Sequence, residues 1–226
     1  MVNSTTIAGN GAMCANYCSG WGGGIFNAGN VTVNDSSLTG NVARGNVSLA
    51  YGGGIYNLGW MTINNSTISG NTIFGRGGGI YNRNGSVTIN NTTISGNVAG
   101  YYGVGTNIYN SGAVVIQSSI VAYGVNGNCA GSVTSIGYNL SSDGTCTFNN
   151  VGDLDNTDPL LGPLQNNGGP TETMALLPGS PAIDAGNLSG CTDGQGNALK
   201  TDQRGMPRPD AGDAGRCDIG AYETQN

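Results

Sequence analysis

A triple-glycine motif returns along the first half of the chain and limits the folds that the chain can adopt. The motif reads Gly-Gly-Gly-Ile-(Tyr/Phe)-Asn and occurs at residues 22–27, 52–57 and 77–82, with a degraded copy that ends at 108–110. The isoleucines of successive copies are 30, 25 and 28 residues apart. A repeat of this length indicates a solenoid, in which each repeat packs against its neighbours along the chain.

Two strand-like segments follow each copy of the motif. The first alternates aliphatic and polar residues, at 31–34, 61–64, 87–90 and 114–117. The second reads Thr-Ile-Ser-Gly-Asn or a variant of it, at 6–10, 37–41, 67–71 and 93–97. Three short period-two segments per repeat, without helical periodicity, predict three short β-strands per coil. A propeller blade has a similar number of strands, but it needs about 40 residues or more.

We therefore predict an all-β fold, a right-handed parallel β-helix of about five to six coils over residues 1–150. Coiling stacks equivalent residues of successive turns about 4.8 Å apart. Aliphatic side chains then form inward columns, one of which we expect to contain Leu38, Ile68, Ile94 and Ile120. Asparagines at two corners can hydrogen-bond to one another as ladders. The predicted ladders are Asn27, Asn57, Asn82 and Asn110, and Asn10, Asn41, Asn71 and Asn97.

The charged residues mark a domain boundary near residue 150. Before it the only acids are Asp35 and Asp143 and the only bases are Arg44, Arg76 and Arg83, whereas eleven acids and four bases follow. We predict an irregular C-terminal capping region over residues 151–226.

The net charge of −6 argues against a nucleic-acid partner. No apolar run is long enough to cross a bilayer, and no signal peptide is present at the N-terminus, as expected for a mature or trimmed form.

Six cysteines indicate disulfides. They form no CxxC pair, and the chain has no histidine to complete a zinc site. Disulfides favour an oxidising compartment, which predicts an extracellular or cell-surface location. Among the fifteen possible pairings we expect local closure, namely Cys14 with Cys18, Cys129 with Cys146, and Cys191 with Cys217.

Two groups of motifs resemble known families. Gly-Gly-Gly-Ile followed by Ser-Gly-Asn, as at 77–80 and 95–97, is similar to repeats of bacterial surface β-helix proteins, including the polymorphic outer-membrane protein group. The C-terminal segments 165–173, 179–186, 202–209 and 218–223 resemble the choice-of-anchor Q domain of secreted bacterial proteins. The resemblance covers nearly the whole chain and implies a surface or extracellular protein. It implies an architecture more than an activity.

The residues offer little for catalysis. Without histidine, Ser-His-Asp and Cys-His chemistry is excluded. Asp35 and Asp143 should lie roughly 20 Å apart along the axis, too far for a glycosidase pair. A uronate lyase would have Arg44, Arg76 and Arg83 as its only candidate bases in the coils, and we interpret these as solvated turn charges.

The acidic tail raises the question of calcium. Residues 193–197 superficially resemble a calcium loop, but Asp202 falls at an unsuitable distance for the EF-hand pattern. We favour solvated turns, with calcium as the less favoured alternative and no other cofactor expected. Asp202, Arg204, Asp218 and Glu223 are expected to make ion pairs that hold the tail against the last coil.

Two surface features suggest further roles. Thr-x-Asn pairs at 32–34, 62–64 and 88–90 resemble the arrays of ice-binding solenoids, but the next coil has Val115 and Gln117 there, which favours an ordinary solvated sheet face. Tyrosines could stack on sugars, above all the equivalent Tyr56, Tyr81 and Tyr109, together with Tyr51, Tyr101 and Tyr102.

We predict a non-enzymatic extracellular structural or adhesive protein, serving as a surface stalk, matrix component or filament subunit. The alternative is a carbohydrate-binding or polysaccharide-cleaving module. Residues 2–10 already show the third-strand pattern, so the sequence starts inside a coil. Three interpretations stay open: an upstream portion has been removed, the first strand completes a neighbour's coil and produces a head-to-tail fibre, or the partial coil suffices.

Overall fold

The structure is a computed structural model that describes residues 1–14, 18–45, 50–100, 103–187, 190–193, 195–212 and 215–225. Within these ranges every regular element is a β-strand, and the strands up to Ser141 form parallel sheets stacked as a β-solenoid. The predicted all-β solenoid is confirmed. The described residues contain no helix with the length and apolar character needed to cross a membrane.

Each complete turn contributes one strand to each of four parallel sheets. The first sheet contains β1 (Val2–Asn3), β5 (Asn30–Asn34), β9 (Trp60–Asn64), β13 (Ser86–Asn90), β17 (Ala113–Gln117) and β20 (Thr134–Ser135). The second contains β2 (Thr6–Ala8), β6 (Ser37–Thr39), β10 (Thr67–Ser69), β14 (Thr93–Ser95), β18 (Ile120–Ala122) and β21 (Leu140–Ser141).

Two shorter sheets complete the coil. The third sheet contains β3 (Gly11–Met13), β7 (Val42–Arg44), β11 (Thr72–Ile73) and β15 (Val98–Ala99). The fourth contains β4 (Ile25–Asn27), β8 (Ile55–Asn57), β12 (Ile80–Asn82), β16 (Ile108–Asn110) and β19 (Cys129–Ala130). An antiparallel hairpin of β22 (Leu161–Gln165) and β23 (Thr173–Leu176) follows the coils.

The number of strands and the number of coils both differ from the prediction. A complete turn has four strands rather than three, because strands of two or three residues form the third sheet directly after each Gly-Asn corner. Segments this short cannot display alternation in sequence. In the part of the chain that the structure describes, about four turns are complete, and the strands from β17 to β21 form partial turns. The prediction of five to six coils was therefore too high for complete turns.

The register places identical residues on one another. Ile25, Ile55, Ile80 and Ile108 pair in sequence across the fourth sheet. The lumen is filled by such aliphatic columns. One predicted column member was wrong: Ile94 pairs with Val121, so Val121 continues the column of Leu38 and Ile68. Ile120 lies in a second buried cluster, formed with the C-terminal region.

The C-terminal region covers most of the second sheet and leaves the outward side chains of β2 exposed. Leu154 bridges to Leu140 at the last turn, and Ala182 and Ile219 are buried against Ile120. Thr67 in the third turn donates a hydrogen bond to Oε1 of Gln203 at 2.7 Å. The predicted cap at the end of the coils is thus also a lateral cover, which buries the outward side chains of β10 and β14.

The triple glycines allow close approach of successive turns. Gly52 and Gly77 have φ values of 70° and 69°, in the left-handed region. Gly54 is required for a different reason, because a Cβ atom there would lie 2.7 Å from the carbonyl oxygen of Gly79 in the next turn. The motif therefore marks a corner where backbone packs directly on backbone.

We expect Gly54→Ala to lower the free energy of unfolding by about 1–3 kcal/mol, because overpacking forces the two turns apart. Gly29→Ala is the matched control, since a Cβ there meets no atom within 4 Å. Its effect should stay within about 0.5 kcal/mol. Chemical denaturation followed by circular dichroism measures both, and equal effects would contradict the close approach.

Candidate functional site

A ladder of buried asparagines runs along the fourth sheet. Each side-chain nitrogen donates to Oδ1 of the asparagine in the following turn. The distances are 2.7 Å from Asn27 to Asn57, 2.8 Å from Asn57 to Asn82, and 2.8 Å from Asn82 to Asn110. The same nitrogens also reach backbone carbonyls, as from Asn57 to Gly59. The ladder thus satisfies the corner backbone as well as itself.

The second ladder is longer than the sequence predicted. Donation runs from Asn10 through Asn41 and Asn71 to Asn97, at 2.9–3.1 Å. It then continues from Asn97 to Asn107 and from Asn107 to Asn128, at 2.8 and 2.9 Å. Asn107 follows Asn97 by only ten residues and occupies the third-glycine position of the degraded motif copy. Asn107 was missed because it breaks the period of the repeat. The asparagine at a position where other copies of the motif have glycine could have indicated its role.

Two further ladders were not recognised in the sequence. In a hydroxyl column, the backbone nitrogen of Thr5 donates to Oγ of Ser36 and that of Ser36 donates to Oγ of Ser66, both at 3.1 Å. The same contact recurs from Thr92 to Ser119. On the outer face of the first sheet, Asn64 donates to Asn34 at 2.9 Å, in the direction opposite to the inner ladders. The Thr-x-Asn repeat is therefore explained by an outer amide ladder.

The equivalent aromatic residues form a stacked column on the outer face of the fourth sheet. Ring centroids are 5.5 Å apart for Phe26 and Tyr56, 5.4 Å for Tyr56 and Tyr81, and 4.9 Å for Tyr81 and Tyr109, with interplanar angles of 8° or less. Tyr56 is 1% exposed and Tyr81 is 8% exposed. Their ring faces contact one another, so these two rings offer no free face for a sugar.

The residues beside this column include other tyrosines predicted to stack on sugars and the arginines considered as lyase bases. Tyr51 lies tilted against Tyr81, with centroids 4.8 Å apart, whereas Tyr101 and Tyr102 fall outside the described residues. Arg76 donates to the hydroxyl of Tyr109 at 2.9 Å, and Arg83 donates to that of Tyr56 at 3.3 Å. Two of the three candidate lyase bases, Arg76 and Arg83, are thus engaged with the aromatic column. Arg44 lies over the ring of Phe74.

A buried ionic cluster holds the C-terminal region together. Glu223 accepts from Nε of Arg208 at 2.7 Å, with both side chains fully buried. Arg204 pairs with Asp202 at 2.7 Å and stacks on Tyr222. The predicted ion pairs are thus found for Asp202 with Arg204 and for Glu223, whose partner Arg208 was not among the residues singled out in the sequence. The carboxylate of Asp218 instead accepts from the backbone nitrogens of Asp184 and Thr224.

The position of this cluster corrects one expectation. Arg208 donates to Oδ1 of Asn65 at 3.2 Å, and Asn65 donates to the carbonyl oxygen of Thr201. Asn65 belongs to the third turn, so the ion pairs hold the tail against the middle of the solenoid rather than its last coil. Breaking one partner of such a buried pair typically costs about 3–5 kcal/mol.

The three disulfides join the cysteines that were expected to pair. The Cα–Cα distances are 5.7 Å for Cys14 and Cys18, 4.9 Å for Cys129 and Cys146, and 5.9 Å for Cys191 and Cys217. All fall within the range that a disulfide spans. Cys129 and Cys146 belong to the lumen cluster together with Phe148, and they staple the C-terminal end of the coils.

The acids considered above for calcium binding make other contacts in the structure. Asp193 closes its own turn, since one oxygen accepts from the backbone nitrogens of Gln195 and Asn197 and the other from the Asn197 amide. Asp202 is occupied by Arg204 and by the backbone nitrogen of Glu223. Among the described residues no three acidic, histidine or cysteine side chains are arranged to hold a metal ion. Calcium binding stays an untested prediction.

Asp35 and Asp143 lie in different structural contacts. Asp35 accepts from the amide of Asn65 at 2.7 Å, and burial raises the pKa of its carboxyl. Asp143 accepts from the backbone nitrogen of Asn128 at 3.0 Å, at the far end of the second ladder. The structure does not bring these acids together.

Comparison with known proteins assigns no family, because no family model, curated protein or solved structure matches the chain. The parallel β-solenoid rests on the structure itself. The resemblance to choice-of-anchor Q and polymorphic outer-membrane proteins therefore stays a prediction.

The ionic cluster predicts a pH dependence of stability. Burial raises the pKa of Glu223 from 4.5 to about 8, against the opposing effect of Arg208. Burial also raises the pKa of neighbouring Asp218. A raised pKa in the folded state contributes stability below the unfolded value, and this contribution is lost as the pH rises through the folded value. The free energy of unfolding should therefore fall between about pH 4.5 and pH 8.

Glu223→Gln should flatten this fall by roughly 2–4 kcal/mol, since it keeps an acceptor for Arg208 and removes the titration. The exposed Glu172→Gln is the control and should leave the slope unchanged. Denaturant unfolding at intervals between pH 4.5 and pH 9 measures both variants. A slope that survives Glu223→Gln in full would assign the pH dependence to other groups.

Proposed function

We propose that this chain is a non-enzymatic structural or adhesive protein of an extracellular or cell-surface setting, such as a stalk, matrix component or filament subunit. The observation that carries the proposal is the continuity of the second asparagine ladder, which runs through successive turns without interruption from Asn10 to Asn128. Stacked amides and parallel strands resist bending and sliding of one turn on the next. Such a rod suits a mechanical role.

The use of the ionisable side chains supports a structural rather than a catalytic role. Glu223 and Asp202 are paired with arginines in the buried cluster. Asp153 accepts from Ser135 and from the backbone nitrogen of Asn139, at the last turns of the coil. These three acids are thus engaged in holding backbone and side chains in place.

The location is supported by covalent chemistry and by the sequence motifs. Three disulfides favour an oxidising compartment. The segments that resemble choice-of-anchor Q domains make up most of the lateral cover and the ionic cluster. We propose on that basis that the chain belongs to secreted or surface-attached bacterial proteins.

We further propose that the rods associate head to tail. Strands β1, β2, β3 and β4 are the terminal members of their sheets and pair on one side only within the described residues. Val2, Ile7 and Ile25 lie half-buried at this end of the lumen cluster. Unpaired strand edges around a partly exposed apolar lumen form a template for another chain, and a heterologous contact of this kind extends into a fibre.

Ile7→Lys should abolish the association, because an inward-pointing charge at the mouth of the lumen opposes burial by a second copy. Thr6→Lys is the matched control, since Thr6 is exposed and its neighbour Ile7 points inward. Light scattering and electron microscopy over a concentration series should show oligomers for the unsubstituted chain and Thr6→Lys, and monomers for Ile7→Lys. Monomers of the unsubstituted chain at every concentration would refute head-to-tail association.

A further inference from the structure

A groove lies beside Trp60, at the corner where the chain passes from the fourth sheet to the first sheet. It has a volume of about 450 Å³ and is bordered by Leu58, Trp60, Asn84, Ser86 and Ala113. We call it the Trp60 groove. It spans three successive turns, roughly 10 Å along the axis at strand spacing.

The floor of the groove is imposed by the neighbouring ladder. Gly59, Gly85 and Gly112 lie beneath it in successive turns. A Cβ at Gly85 would lie 2.6 Å from the carbonyl oxygen of Gly59, and one at Gly112 would lie 2.9 Å from Nδ2 of Asn82. The carbonyl oxygens of Gly59 and Gly85 accept from the asparagine ladder. The floor therefore carries no side chains, and the carbonyl oxygens of Gly59 and Gly85 already have hydrogen-bond donors.

The asparagine ladder, which requires glycines in the floor, does not require a tryptophan at position 60. Its equivalents in neighbouring turns are Asn30 and Ser86, followed by Ala113. Its side chain is 70% exposed, so it gains little of the free energy that burying an aromatic ring provides. Small or polar residues serve the strand equally well at this position. An exposed indole beside a groove is accessible to a ligand.

The chemistry of the walls selects the ligand class. No charged side chain borders the groove, so nothing there complements a carboxylate, a phosphate or a cation. Asn84 and Ser86 make no side-chain hydrogen bond to other described residues and can turn their polar atoms toward a ligand. A flat indole face with adjacent amide and hydroxyl groups matches a pyranose ring, which has an apolar C–H face and hydroxyl groups at its rim.

We propose that the Trp60 groove binds a neutral saccharide, with one pyranose face stacked on the indole and ring hydroxyls bonded to Asn84 and Ser86. The site lies at the corner between the fourth and first sheets, and the stacked tyrosines do not line it. Glycan recognition would then use the exposed ring of Trp60 and not the predicted Tyr56, Tyr81 and Tyr109.

Isothermal titration calorimetry of the full chain against cellohexaose, xylohexaose, mannohexaose and chitohexaose tests the proposal, with hexagalacturonate as the acidic probe. We expect binding of at least one neutral hexasaccharide, weakened at least tenfold by Trp60→Ala. Phe74→Ala is the matched control, because it removes another exposed ring, 61% exposed, outside the groove. It should leave the affinity unchanged.

Asn84→Gly provides a second variant that keeps the fold. Asn84 has a φ of 59°, which glycine adopts without strain, so the substitution removes the amide group alone. It should weaken binding severalfold. Absence of binding to every neutral probe at millimolar concentration, binding that Trp60→Ala leaves intact, or preference for hexagalacturonate would each overturn the proposal. The proposed structural role does not depend on this outcome, because the proposed head-to-tail contact uses strands β1 to β4, which do not line the groove.

Discussion

The hydrogen bond between stacked asparagine side chains is the interaction on which this solenoid depends. Each buried amide must find partners in a lumen wall that excludes water, and the amide of the next turn provides one at the spacing of hydrogen-bonded strands. Asn41 illustrates this: its backbone nitrogen and its Nδ2 both donate to Oδ1 of Asn71. One side chain in each turn thus fixes the height, the register and the corner of the preceding turn.

Other features of the molecule follow from this constraint. The ladder carries its amide nitrogens to the corner carbonyls, and the corner must then be glycine because side chains would displace the amides, as at Gly85 and Gly112. The glycine corner in turn leaves a groove on the outer surface, beside which Trp60 is exposed. A structural requirement thereby creates a surface feature that a ligand can use.

The repeating part of the fold could be predicted from sequence because identical residues stack on identical residues. The columns of Ile25 and Asn27 follow directly from the motif spacing. The third sheet was missed because strands such as Thr72–Ile73 are too short to carry a pattern. Ile120 was assigned to the lumen because Ile120 and Val121 are both apolar. Only the strand register shows that Val121 is the residue that pairs with Ile94.

The C-terminal region was less predictable for a physical reason. Its contacts occur once each and join residues far apart in sequence, as between Thr67 and Gln203, which are 136 residues apart. A contact that does not repeat leaves no periodic trace. The charges of Asp202, Arg204, Asp218 and Glu223 indicated that the tail is held by ion pairs, but the position of Arg208 against Asn65 in the third turn required the structure.

The most direct test of the central claim compares Asn71→Ala with Asn34→Ala in denaturant unfolding. Asn71 is fully buried in the inner ladder, and its loss leaves the backbone nitrogen and Nδ2 of Asn41 without their acceptor, Oδ1 of Asn71. Asn34 is half-buried in the outer ladder, where water can replace its partners. The account predicts a loss of about 3 kcal/mol or more for Asn71→Ala and about 1 kcal/mol or less for Asn34→Ala. Equal and small losses would show that the amide ladder does not hold the turns together.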